Sequence, residues 1–344
     1  MTITIPQIFQ KCQQIFPAWQ NLTLDDFHFT DPKGFSSFTI SIQAQNPTQL
    51  QAQYPSAPTA VLYRHLATKE NAILNFDREK AVFLLLGHHN IAAHCYHYDH
   101  TCRLEAFYHG RTLTPTDLTN TAILEKIAVQ LAKFHQLTPP DLPTNSFFHE
   151  LYKKWTPLAR HTIDTKRDQF PPNEQKMCAD LMSILTPDTY HRVQACLPTT
   201  PLTFCHNDTY HGNIMLLDNG DIKLLDFEFS CLNHPAFDFA NLFAETVMKH
   251  KQPDYPYFRI AAPEYTTEQI THLIAAYLDQ FPPHHFPDPP AARAQLLTET
   301  LSMIRLSDYM YAMAALPLAL EPIQKIRFIP YAHARFHKFL QTTA

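Results

Sequence analysis

The segment from Phe204 to Glu228 constrains this chain more than any other. It runs Phe204-Cys205, then His206-Asn207-Asp208-Thr209-Tyr210-His211-Gly212-Asn213, then the apolar run Ile214-Met215-Leu216-Leu217. The turn Asp218-Asn219-Gly220-Asp221 follows, then Ile222-Lys223-Leu224-Leu225, and finally Asp226-Phe227-Glu228. Two apolar runs joined through Asn-Gly read as a tight hairpin. Such a hairpin returns Asp226 to the neighbourhood of Asn213. The Asp–x4–Asn spacing puts Asp208 and Asn213 on one short loop. Two carboxylates and an amide therefore converge.

Phosphoryl transfer from ATP wants three such groups. Asp208 fits the carboxylate that orients the attacking hydroxyl and accepts its proton. Asn213 and Asp226 fit the amide and carboxylate that hold Mg²⁺. His206 reads as structural, bonding the loop near Asp226, and His211 as a loop histidine.

Composition removes other classes. The chain has 344 residues and 27 Lys+Arg against 32 Asp+Glu, a formal charge of −5. Without a basic excess or run, nucleic acid is not expected as a partner. No apolar run reaches the ~18 residues of a membrane helix. The start MTITIPQIFQK carries no signal-peptide pattern. Hydrophobic residues at 45% exclude a mainly disordered chain. Seven cysteines without a CxxC pair read as reduced thiols of a cytoplasmic protein. The 21 histidines contain no HExxH zinc motif.

Glycine is scarce: 5 of 344, about 1.5% against the usual ~7%. Gly220 marks the hairpin, Gly87 a helix C-cap after Leu86, Gly34 a turn, Gly110 a connector and Gly212 the polar loop.

The pattern along the chain implies an α+β fold of two lobes. Residues 1–20 read as an amphipathic helix. Two β-prone stretches lie within Phe27–Gln43, and Ala60–His65 is another strand. Asp77–Leu86 reads as a helix, with Ile91–Tyr98 and Cys102–Phe107 as strands. The apolar period then changes: Ile123, Ile127, Leu131 and Phe134 share a face of a helix over Thr121–Leu137. Residues 138–147 are Pro-rich loop and 148–197 mostly helical. Short strands fill 202–229, and helices dominate from 236. The expected division is a β-rich lobe, 1–108, and a larger, mainly helical lobe, 109–344.

The segment His206–Asn213 with Asp226-Phe227-Glu228 resembles the choline/ethanolamine kinase family, relatives of the aminoglycoside phosphotransferases with a protein-kinase-like fold. Asp226–Glu245, Cys102–Leu113, Ala132-Lys-Phe-His135 and Tyr331-Ala-His-Ala-Arg335-Phe are similar to further segments of that family. Matches run from about residue 30 to 340.

The resemblance implies an ATP- and Mg²⁺-dependent kinase of a small cationic alcohol. Gly34, Phe35, Ser36 and Ser37 would form the loop over the phosphates. Arg64 would be the phosphate-binding base, with Glu79 as its ion-pair partner. The backbone of Glu105, Ala106, Phe107 and Tyr108 would meet the adenine. Phe229, Glu245, Tyr311, Phe328 and Tyr331 would form the acceptor pocket. A trimethylammonium group is bound by aromatic faces at roughly 0.5–2 kcal/mol each. Where the family pattern has tryptophans near Leu306–Ala314, this chain has Tyr309, Tyr311 and Ala314. Choline is the first expected acceptor. Ethanolamine, thiamine and an aminoglycoside are the alternatives, and an inactive nucleotide-binding protein is the reading from another class.

Overall fold

Alternating β-branched and aromatic residues in the first hundred positions build one antiparallel sheet. The structure is a computed structural model describing residues 3–31, 38–66, 76–139, 144–320 and 326–341. The chain divides into two units, Met1–Gly110 and Arg111–Ala344, against an expected join after Tyr108. Gly34, Phe35, Ser36 and Ser37, expected over the phosphates, lie outside the described residues.

In the first unit the strands are β1 (Phe27–Thr30), β2 (Thr39–Ala44), β3 (Ala60–His65), β4 (Cys95–Tyr98) and β5 (Cys102–Ala106). Their order is β1-β2-β3-β5-β4. One face packs on helix α1 (Ile5–Ile15) through Ile8, Phe9 and Cys12, which meet Trp19, Phe27, Ile42, Tyr63 and Leu104. Helix α1 is shorter than the expected 1–20. Thr4 and Gln7 close its start as a capping box, and Pro17 opens a separate 3-10 turn. Helix α2 (Pro47–Gln53) was not anticipated. Of the strand expected over Ile91–Tyr98, only Cys95–Tyr98 pairs.

Helix α3 (Phe76–His88) passes through Gly87 instead of stopping there. A Cβ at Gly87 would lie 2.9 Å from the Ala93 carbonyl oxygen, so close backbone approach explains this glycine. The left-handed cap is Asn90, at φ 58°. The Ile91 N–H donates to Leu86 at 2.9 Å and the Asn90 N–H to Gly87 at 3.1 Å, the Schellman pattern.

Strand β6 (Gly110–Thr112) starts on the last residue of the first unit, and the second unit goes on with α4 (Thr121–His135), α5 (Phe147–Lys166), α6 (Pro172–Ile184), α7 (Pro187–Gln194), β7 (Thr203–Cys205), β8 (Ile214–Leu217), β9 (Ile222–Leu224), β10 (Cys231–Asn233), α8 (Pro235–Ala244), β11 (Met248–His250), β12 (Phe258–Ile260), α9 (Thr267–Leu278), α10 (Pro289–Ala315) and α11 (Phe328–Gln341). Helix α8 is buried along its length and packs against α10, which also packs on α11. The antiparallel pair β11–β12 interrupts a stretch read as helical. Among the described residues, no helix is long and apolar enough to cross a membrane.

Candidate active site

Two strand pairs shape the polar loop. Strands β7 and β10 run antiparallel, with Cys205 opposite Cys231. The β8–β9 hairpin sets Ile214 opposite Leu224, and the Leu225 N–H donates to the Asn213 carbonyl at 2.8 Å. Asp226 is the next residue, so the hairpin returns it beside Asn213 as its turn chemistry implied. Asn207 and Asp226 adopt left-handed conformations, φ 66° and 61°, which Asn and Asp accept more readily than most side chains. Gly212 lacks a Cβ where one would collide with the Tyr210 ring.

Asp238 holds the loop from below. This fully buried carboxylate on α8 accepts the backbone N–H of His206 at 2.8 Å and of Asn207 at 2.7 Å. It also meets His135 Nε2 at 2.9 Å, while His135 Nδ1 contacts the Tyr277 hydroxyl at 3.0 Å. The Thr209 hydroxyl donates to the Asp238 carbonyl. Sequence reading placed Asp238 and His135 inside family-like segments but assigned neither a role. Their partners lie far away in sequence.

His206 has the structural role expected of it: Nε2 lies 2.9 Å from the Leu225 carbonyl. Burial pushes its pKa down. Burial also pushes His211 down to about 4, so both imidazoles are neutral at pH 7.

Asp208 is nearly buried and doubly held. Asn213 Nδ2 donates to its carboxylate at 2.7 Å and to its carbonyl at 3.0 Å. The Tyr311 hydroxyl donates to the other carboxylate oxygen. Burial drives the Asp208 pKa well up, and Asp226 and Glu245 add to this; the bonds from Tyr311 and Asn213 oppose it. Burial drives Tyr311 up as well, keeping it a donor.

Two oxygen-bearing groups remain uncommitted. Asn213 spends its amide nitrogen on Asp208, leaving Oδ1 without a partner among the described residues. The half-exposed Asp226 carboxylate has no hydrogen bond or ion pair among them either. An amide oxygen and an uncompensated carboxylate, adjacent across a hairpin, are the hard donors a magnesium ion takes.

The expected acceptor residues divide. Glu245, at the end of α8, is fully engaged by a cation of the protein itself. Arg335 of α11 grips it with Nη1 at 2.7 Å and Nη2 at 2.8 Å. Burial would raise Glu245, but Arg335 outweighs it and holds the carboxyl below its ordinary value. The Arg335 guanidinium lies 4.8 Å from the Tyr311 ring and 4.9 Å from the Tyr331 ring, so it occupies the aromatic-cation seat expected for a substrate. The Tyr331 hydroxyl accepts Arg335 Nη2 at 2.7 Å. The Ser307 hydroxyl, with one proton for two acceptors, lies 3.0 Å from Glu245 and 2.8 Å from Asn241. Phe229 packs instead against Trp155, ring centroids 5.6 Å apart, and Phe147. Phe328 opens α11 and is half-buried. Sequence reading noted Arg335 only within a family-like segment and set Trp155 aside.

In the first unit, Arg64 lies on β3 opposite Thr39 and Arg103. Glu79, expected beside Arg64, receives Arg103 Nη1 at 3.4 Å and the Tyr98 hydroxyl at 3.3 Å. Glu105 lies 2.6 Å from Arg103 Nε. The Ala106 and Phe107 amides, expected to face adenine, donate to His94 at 2.8 Å and Ala60 at 3.5 Å. Tyr108 donates its hydroxyl to Ala92 at 3.4 Å.

A loop carrying Asp208 and Asn213, with Asp226 returned by a hairpin, defines the protein-kinase-like phosphotransferases. Solved structures share the fold. A choline kinase from Cryptosporidium parvum superimposes with TM-score 0.78 at 19% identity, covering 98% of this chain and 95% of its own. A gentamicin-bound aminoglycoside phosphotransferase gives 0.56 at 12%, covering 100% and 98%. A family model described as choline/ethanolamine kinase matches residues 38–340, and the chain belongs to that family. Choline kinase A2 of Caenorhabditis elegans is 24% identical over 93% of this chain and 82% of its own length. The human choline/ethanolamine kinase is 25% identical over 97% and 85%. The protein is a kinase with an alcohol acceptor.

Proposed function

We propose that the protein transfers the γ-phosphoryl group of ATP, with Mg²⁺, to the hydroxyl of a small cationic amino alcohol, choline first and ethanolamine second. The observation that carries this is the state of Asp208. Asn213 fixes one carboxylate oxygen at 2.7 Å, and the other already accepts an alcohol-type O–H, that of Tyr311. An acceptor hydroxyl at this oxygen would be oriented for in-line attack and deprotonated by the same carboxylate. Asn213 Oδ1 and Asp226 would hold the magnesium ion, which supplies charge neutralisation for the phosphates. Arg64 and the chain around Glu105–Tyr108 are the proposed nucleotide contacts. Phe229, Trp155 and Phe328 would supply aromatic surface for an alkylammonium group, the Tyr331 ring being taken by Arg335. Named relatives act on choline or ethanolamine, which supports a monocation over a polycation.

The test is ADP release with Mg–ATP against choline, ethanolamine, thiamine and an aminoglycoside, each beside an acceptor-free blank. Choline or ethanolamine should give kcat/KM well above the others. Turnover confined to thiamine or the aminoglycoside would overturn the acceptor assignment.

A further inference from the structure

Helix α11 carries two i,i+4 pairs. Tyr331 and Arg335 serve the site described above. The second, His333 and His337, turns to α6, where Asp180 receives both. His333 Nε2 lies 2.8 Å from Asp180 Oδ2, His337 Nε2 lies 2.6 Å from the same oxygen, and the two Nε2 atoms are 3.1 Å apart. Three donor atoms thus converge on one point from two helices.

We propose that Asp180, His333 and His337 form a binding site for a divalent first-row transition metal ion, which ties α6 to α11. An ion at about 2.0–2.2 Å from imidazole nitrogen and carboxylate oxygen would rest just off the triangle these atoms make. The set is two imidazoles and one carboxylate, a combination zinc, nickel and cobalt accept and magnesium does not favour. All three side chains are part-exposed, 41%, 26% and 40% for Asp180, His333 and His337, so an ion reaches them from solvent. None has another side-chain partner among the described residues. That separates this group from two similar ones. In His135–Cys205–Asp238 the imidazole nitrogens are spent on Tyr277 and Asp238, and the carboxylate on the His206 and Asn207 amides. In His97–Asp99–Cys102, Asp99 is taken by Lys11 and Thr101. Burial lowers the His333 pKa, which favours the neutral imidazole a metal needs. A neutral imidazole that carries its proton on Nε2 moves it to Nδ1 of the same ring to free that nitrogen for the ion, so no redox partner is required.

The test is isothermal titration of the full chain with Zn²⁺ in magnesium- and nucleotide-free buffer. The wild type should bind one equivalent that His337→Gln weakens at least tenfold and that His333→Asn/His337→Gln abolishes. Zn²⁺ should also raise the wild-type melting temperature and leave that of the double variant unchanged. Identical isotherms for wild type and double variant would overturn the proposal, as would an absence of zinc binding to the wild type. If the double variant fails to fold, Asp180→Asn replaces it, and undiminished binding there is equally fatal. None of these readouts depends on kinase activity or on its acceptor.

Discussion

At the scale of single residues, the proposed reaction depends most on Asp208. Asp208→Asn keeps the volume and the contact with Asn213 but removes the proton acceptor. It should lower kcat about 10²–10⁴-fold. Its thermal melt should stay near that of the wild type, because burial penalises the native charge. Near-normal turnover of the purified variant would refute the assigned role. Tyr311 tests the other carboxylate oxygen. Tyr311→Phe removes a hydrogen bond to a charged group, worth about 1.5–3 kcal/mol. The ring against Arg335 remains, so kcat should fall more than acceptor KM rises. A change confined to KM would show that the hydroxyl serves binding alone.

At the scale of elements, the hairpin and loop were legible because their determinants are local. Asn219-Gly220 sets the turn that returns Asp226, and the Asp208–Asn213 spacing keeps those two residues on one short loop. What escaped are pairings that bridge distant elements: Asp238 beneath His206 and Asn207, and Arg335 against Glu245, 90 residues apart. A buried guanidinium and carboxylate each look like ligand-binding groups until their mutual partner is located. Gly87 misled for a related reason, since its cause is the Ala93 carbonyl and not a helix end. Breaking the buried pair with Glu245→Gln should cost toward the low end of about 3–5 kcal/mol, because Arg335 keeps Asp308 at 3.1 Å. The Glu245 carboxyl is held below its ordinary value, so its stabilisation is full above the unfolded value, near 4.5, and fades as pH falls through the lower folded one. The difference between wild type and variant in urea unfolding should therefore shrink below about pH 4. A gap that widens on acidification would contradict the pairing.

At the scale of the whole molecule, the order of β-rich and helical regions was readable from the change in apolar period, whereas β11–β12 and α2 were too short to register. The chain's thiols report on both units. All seven cysteines are free, and only Cys95 is not fully buried. Burial pushes Cys12 up to about 12, and Cys95 and Cys178 each to about 11. At pH 8 a thiol reagent should titrate at most one group rapidly in the native chain and all seven in guanidinium. Two or more fast native thiols would contradict this packing. Helix α8 has a different consequence. Asp238 clamps the His206–Asn213 loop, Asn241 lies 3.4 Å from the Tyr311 hydroxyl, and Glu245 at the helix end anchors Arg335. If the proposed roles are taken together, selectivity and turnover are mounted on a single axle. On that reading, an engineer who re-tools the pocket by rewriting α8 detunes the chemistry with it, and changes of substrate preference that spare rate are to be sought in α11 or Trp155, since α10 places Tyr311 on Asp208.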